Sequence, residues 1–231
     1  MLMRHSIRQV VFIFIVLLPA LQIRAQSKST ITSLRDDLFD KKQGGNVSLG
    51  MRNTISFFND GDPKAIGTGG GGHYRIQISN RVNTEWYADV FLSNIHNKAH
   101  RADYHIGVSV MYYLIDPKGF TRKFTPYVIS GYCFDETVIK INGEGGASGS
   151  RFSSEVHGGI GCSYNVTPRF DISMTTQYGF HLGKELDLEE HPDGGMTIET
   201  QKNAGWQGHL MISISVNYKI FKLWNRKKQT V

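Results

Sequence analysis

Residues 169–182, RFDISMTTQYGFHL, constrain the fold more than any other stretch of the chain. Phe170, Ile172, Met174, Thr176, Tyr178, Phe180 and Leu182 alternate with Asp171, Ser173, Thr175, Gln177, Gly179 and His181. Successive side chains of a strand point to opposite faces, so the run has one apolar and one polar face. It is too long for an ordinary globular strand of about 5–6 residues. At about 3.3 Å per residue and a tilt near 40°, it crosses the roughly 25 Å apolar band around a transmembrane barrel. Such a wall needs further strands of similar length and period.

They are present. Residues 46–58, 72–82, 85–95, 104–114, 152–166 and 206–221 alternate in the same way. Residues 124–134 fit with Pro126, Val128, Tyr132 and Phe134 outward. Between them the sequence reads as loops at 59–71, 96–103, 135–151 and 183–205, the last acidic at Glu185, Asp187, Glu189 and Glu190. Short turns fall around Asn83 and Thr84, at Asp116-Pro117-Lys118-Gly119 and at Thr167-Pro168. Eight strands with long and short connections in alternation predict an all-β fold, an eight-stranded antiparallel up-and-down transmembrane β-barrel over 46–221. Outward aromatics near strand ends form the expected girdle: Tyr74, Trp86, Tyr104, Tyr112, Tyr164, Phe170, Tyr178, Trp206 and Tyr218. A soluble lipocalin-type barrel would invert the faces and put every aliphatic row in one lumen.

The N-terminus has the pattern of a secretory signal. Arg4 and Arg8 precede an apolar run at 10–21 that falls short of the ~20 residues of a spanning helix. Ile23-Arg24-Ala25 supplies the cleavage site. This divides the chain into a signal peptide at 1–25, an N-terminal segment at 26–45, the barrel, and a basic tail at 222–231. Loss of the signal removes three arginines and no acid, lowering the formal charge from +6 to +3, too little to argue for nucleic acid. The mean hydropathy of −0.28 suits a barrel with half of each strand facing water.

The inner face carries the candidate functional groups. Arg52, Arg75, Arg81, Asp89, Glu155 and Asp171 are expected to form a paired charge network, because unpaired buried charges are costly. A turn at Asn83 and Thr84 would set Asp89 near Gln77, within reach of Arg75 and Arg52. Removing the Asp89 carboxylate should therefore cost more than removing that of Asp187 in the outer loop. His73, His105, His157, His181 and His209 also face inward, with no close-spaced ligand pair among them. They read as solvated lumen side chains, and neither a metal nor a cofactor is assigned. Cys133 and Cys162 fall at opposite ends of adjacent strands and are expected to be free thiols. GTGGGG at 67–72 lacks the Lys-Ser/Thr of a P-loop, which excludes that phosphate site. His105, Ser93, Asp103 and His181 supply the residue types of a lipid A-modifying enzyme, but Ser93-Asn94-Ile95-His96 has them in the wrong order for a deacylase motif. A lumen filled by side chains leaves a loop-presenting barrel as the leading reading, with enzyme activity and slow solute passage behind it.

The layout over 46–221 resembles the small outer-membrane β-barrels of Gram-negative bacteria, of the OmpA-barrel or OmpX-like type. Ala25-Gln26 and Thr125-Pro126-Tyr127-Val128 with Gly131 resemble the porin-family barrel proteins of the Bacteroidetes. The resemblance implies the barrel fold and a place in the outer membrane. A monomer in contact with the membrane's lipid and lipopolysaccharide is expected, with the long loops open to an extracellular partner. The resemblance implies no specific activity. Such chains usually end on the last strand's aromatic, whereas this one runs ten residues past Phe221.

Overall fold

A strand with one apolar and one polar face must give each face its own solvent, and eight such strands do this by closing on themselves. The computed structural model describes residues 44–58, 66–95, 97–143, 146–183, 186–191, 196–200 and 208–224. The barrel consists of β1 (Asn46–Phe58), β2 (Ile66–Gln77), β3 (Val82–Ile95), β4 (Ala99–Tyr113), β5 (Phe124–Ile141), β6 (Ser148–Asn165), β7 (Phe170–Leu182) and β10 (Gly208–Lys222). Every pair is antiparallel between chain neighbours, and β10 closes the barrel against β1. A separate hairpin, β8 (Leu186–Glu190) and β9 (Met196–Thr200), lies between β7 and β10.

The faces decide against the soluble alternative. Met51 is 71% and Ile106 67% exposed, whereas Asp89 is 3% and Glu155 0% exposed. The aliphatic rows therefore point outward and the charges inward. The outward aromatics form two belts. Toward the short-turn end, Tyr74 stacks on Trp86 at 6.0 Å, Tyr164 meets Phe124 at 5.0 Å, and Phe170 pairs in register with Tyr218. Tyr112 lies at the same end of β4. The second belt carries Tyr104, Tyr178 against Phe180 at 4.7 Å, and Phe134 against Phe152 at 5.8 Å. The distance along β4 from Tyr104 to Tyr112, or along β6 from Phe152 to Tyr164, spans roughly 20–30 Å for tilted strands. Trp206 lies outside the described residues, as do the signal and most of the terminal segments.

Several expectations need correction, among them the loop at 183–205, which contains the β8–β9 hairpin. Residues 66–71 are strand, not loop. So are 99–103, 135–141 and 148–151, which makes β5 and β6 18 residues each. The polar alternation runs on through Asp135, Thr137 and Ile139, which stay inward, but the outward positions Glu136 and Lys140 are charged. Above the apolar band both faces meet water, so the contrast between faces fades while the pairing persists. The second long connection shrinks likewise: Asn97, at φ 58°, closes β3 to β4 with its N–H bonded to Asn94 Oδ1 at 3.0 Å. Asn tolerates this left-handed conformation with a local side-chain bond.

The last correction concerns register. The turn between β2 and β3 sits at 78–81, where Ser79 Oγ accepts from the Val82 N–H at 3.2 Å. Gln77 then pairs with Asn83, and Asp89 lies opposite Gly71, not Gln77. Both thiols are free, Cys133 paired in register with Glu155 and Cys162 with Pro126.

Candidate functional site

Inward glycines organise the lumen. An inner-face glycine leaves a gap over its strand, and the residues paired with it on either side meet across that gap. Arg52 and Asp89 are both register partners of Gly71, and they form an ion pair over it. His73 bonds Asn217 over Gly50. Ser109 meets His157 at 2.8 Å over Gly131, and Tyr127 meets Thr175 at 2.7 Å over Gly161. This is why a strand as glycine-rich as β2 persists: the space above it belongs to side chains of β1 and β3.

The half of the lumen nearer the short turns holds a chain of charges alternating in sign. Asp89 accepts from Arg52 Nε at 2.8 and 2.9 Å, and Arg52 Nη1 reaches Glu85 Oε1 at 3.1 Å. Glu85 Oε2 accepts from Arg75 Nε at 2.5 Å. Arg75 Nη1 stands 3.7 Å from Asp171 Oδ1, whose other oxygen accepts from Lys219 Nζ at 2.9 Å. Asn217 Nδ2 also donates to Asp171, at 2.8 Å, and the Arg52 guanidinium lies 3.9 Å over the Tyr87 ring. Three carboxylates and three cations are thus joined end to end, which offsets much of their desolvation.

The structure brings Arg52, Arg75, Asp89 and Asp171 together, but not as expected. Arg75 engages Glu85 and Asp171 in place of Asp89, because the turn lies at 78–81 and so shifts the β2–β3 register. Glu85 was missed in sequence because it lay at a presumed turn, although it shares the parity of Tyr87 and Asp89. Arg81 belongs to the turn itself, half-buried, with its carbonyl accepting from the Tyr113 N–H at 2.8 Å. Glu155 stands apart from this chain.

Glu155 lies in the other half of the lumen, among histidines. His209 Nε2 is 3.0 Å and His157 Nδ1 3.6 Å from its carboxylate. His181 pairs in register with Glu155, and its Nδ1 is 3.6 Å from Asp135 Oδ1. His105 stacks on His209 at 5.5 Å, with its Nδ1 4.0 Å from Cys133 Sγ. Asp135 is held by Arg151 Nη2 at 2.9 Å and Ser153 Oγ at 2.6 Å. The histidines are not solvated as the sequence suggested: all five inward ones are buried. Of the residue types for lipid A chemistry, Ser93, Asp103, His105 and His181 all face the lumen, with Asp103 bound by Arg101 and Thr137. Acyl chains would lie against the opposite face of the wall.

Apolar side chains fill both ends. Met111, Tyr113, Phe120, Tyr127 and Ile129 cluster at the short-turn end. Phe58, Ile95, Ala99 and Ile139 cluster at the other, covered by Leu188 of the β8–β9 hairpin.

Comparison with known proteins agrees with this architecture. The chain matches the family described as outer membrane protein beta-barrel domain over residues 14–220. It belongs to that family. Among solved structures, this outer membrane barrel is similar to Neisserial surface protein A, at 15% identity and a TM-score of 0.51, covering 75% of this chain and 97% of that one. A major outer membrane protein from Thermus thermophilus gives 8% identity and 0.51 over 75% and 99%. The N-terminal barrel domain of Pseudomonas aeruginosa OprF gives 14% and 0.49 over 75% and 97%. These likenesses concern the fold alone. No curated protein matches the chain in sequence.

Proposed function

We propose that this outer membrane barrel is a non-enzymatic, solute-tight surface protein that presents its outer hairpins to stabilise the envelope or dock an extracellular partner. The observation that carries this reading is the filling of the lumen: an apolar cluster at each end with ion-paired side chains between. This filling of the described lumen supports a barrel closed to solutes. The projecting ends of β5 and β6 and the β8–β9 hairpin give the outer side a framework of paired strands. On this reading the signal peptide at 1–25 is cleaved, both ends of the monomeric barrel lie in the periplasm, and lipopolysaccharide surrounds the outer belt.

The purified protein, reconstituted in liposomes, should admit no small sugars above the protein-free background. In intact cells, externally added protease should cut within 183–207 and nowhere in the barrel. Lipid A mass spectra from cells with and without the protein should be identical. Loss of acyl chains that depends on the protein would overturn the non-enzymatic reading, and sugar uptake would overturn solute tightness.

A further inference from the structure

The histidine cluster around Glu155 is not explained by the charge chain or by surface presentation. Glu155 is fully buried, and neither of its oxygens has a hydrogen-bond partner. The same holds for both nitrogens of His181 and of His209, for His105 Nε2 and for His157 Nδ1. His209 Nε2 comes within 3.0 Å of Glu155 Oε2 without the alignment of a hydrogen bond. Among the described residues, no lysine or arginine lies within ion-pair distance of Glu155. Buried polar groups are normally satisfied, and a buried carboxylate needs a positive partner. Here several imidazole nitrogens surround one carboxylate, and none of them makes an aligned hydrogen bond to it.

Their spacing suits a metal ion. Ligand atoms of Glu155, His181 and His209 all lie within 4.8 Å of one another, and so do those of His105, Cys133 and Glu155. Ligands at about 2.0–2.1 Å in tetrahedral geometry sit about 3.3 Å apart, a contraction that side-chain rotation can supply. We propose that Glu155, His181 and His209 bind one divalent transition-metal ion of the zinc class, with His105 beside the open fourth position. Imidazole and carboxylate together favour such an ion over calcium or magnesium. The surroundings fit as well. His181 Nδ1 faces Asp135, leaving Nε2 for the ion, in the manner of carboxylate-oriented metal histidines. Asp135 is fixed in turn by Arg151 and Ser153. Gly179 provides the room, since a Cβ there would collide with the Glu155 carboxylate. The three ligands come from β6, β7 and β10, so the ion ties together neighbouring strands, including the one that closes the barrel.

The test uses the full-length mature protein, unfolded in urea with chelator and refolded in detergent with or without Zn²⁺. Heat-modifiable gel migration reports folding. Refolding with Zn²⁺ should leave about one bound ion per chain after desalting, and should raise the thermal midpoint. Co²⁺ should give the intense visible band of a four- or five-coordinate nitrogen-ligated ion. Glu155→Gln and the double variant His181→Ala/His209→Ala should each weaken metal binding by at least tenfold. His100→Ala, on the exposed face of β4, should bind like the parent. Should the double variant not fold, Glu155→Gln and the parent's Co²⁺ spectrum decide. A folded parent that retains no Zn²⁺ and shows only the aqueous Co²⁺ spectrum overturns the site. So does undiminished binding in the folded variants. A thermal midpoint that follows pH but ignores metal would assign the positive charge to protonated histidine.

Discussion

Gly71 and Gly72 are adjacent in sequence and opposite in consequence. Gly71 faces inward between Arg52 and Asp89, and a Cβ there would collide with the Ala88 carbonyl and the Asp89 carboxylate. Gly72 faces outward, its nearest neighbour the Gly50 carbonyl at 3.8 Å. Gly71→Ala should therefore lower barrel stability by about 1–3 kcal/mol, as overpacking does. Gly72→Ala should stay within about 0.5 kcal/mol. Urea unfolding in lipid vesicles measures both. The pair over Gly71 has its own signature. Asp89→Ala leaves the Arg52 guanidinium buried with Glu85 alone and should cost about 3–5 kcal/mol. Glu136→Ala, an exposed carboxylate on the outer face of β5, should be nearly neutral. In a double-mutant cycle, removing Arg52 together with Asp89 should recover part of the loss. Strict additivity would refute the coupling.

At the scale of elements, the outer half of the molecule is built differently from the membrane-spanning half. In β5, inward Thr137 and Ile139 continue the pairing after the outward face has become charged. The β8–β9 hairpin then folds Leu188 onto Phe58, Ile95 and Ile139. The side chains of Leu186, Met196 and Ile198 add to that contact. Among the described residues, few apolar side chains hold this hairpin, so it should open without unfolding the barrel. Leu188→Ala is expected to weaken its docking by about 2 kcal/mol. The readout is faster proteolysis within 183–207, with the barrel's unfolding midpoint unchanged. A fall in the midpoint of the whole barrel would mean that the hairpin belongs to the same cooperative unit.

At the scale of the whole molecule, the described lumen side chains form three layers in series: an apolar end, a polar middle and a second apolar end. Opening one layer leaves the others in place. Phe58→Ala or Tyr113→Ala alone should therefore produce no conductance in planar bilayers. A channel from either single substitution would show that the paired middle is no barrier.

The sequence by itself determined the wall. Period-two alternation is local, repeated in every strand and tied directly to solvent, so strand number, the apolar outer face and the membrane-spanning fold were legible without any contact. Where the outer solvent changes from lipid to water, the alternation weakens, and the ends of β4, β5 and β6 could not be read. The lumen was decided by tertiary structure. Which inward groups meet depends on register, and register turns on one or two residues at a turn: moving it from Asn83–Thr84 to 78–81 brought Arg75 to Glu85 instead of Asp89. Barrel closure did the rest. His181 is the register partner of Glu155 and β10 neighbours β7, but His105 lies two strands from β6 on β4, and the curvature of the wall brings its ring onto that of His209.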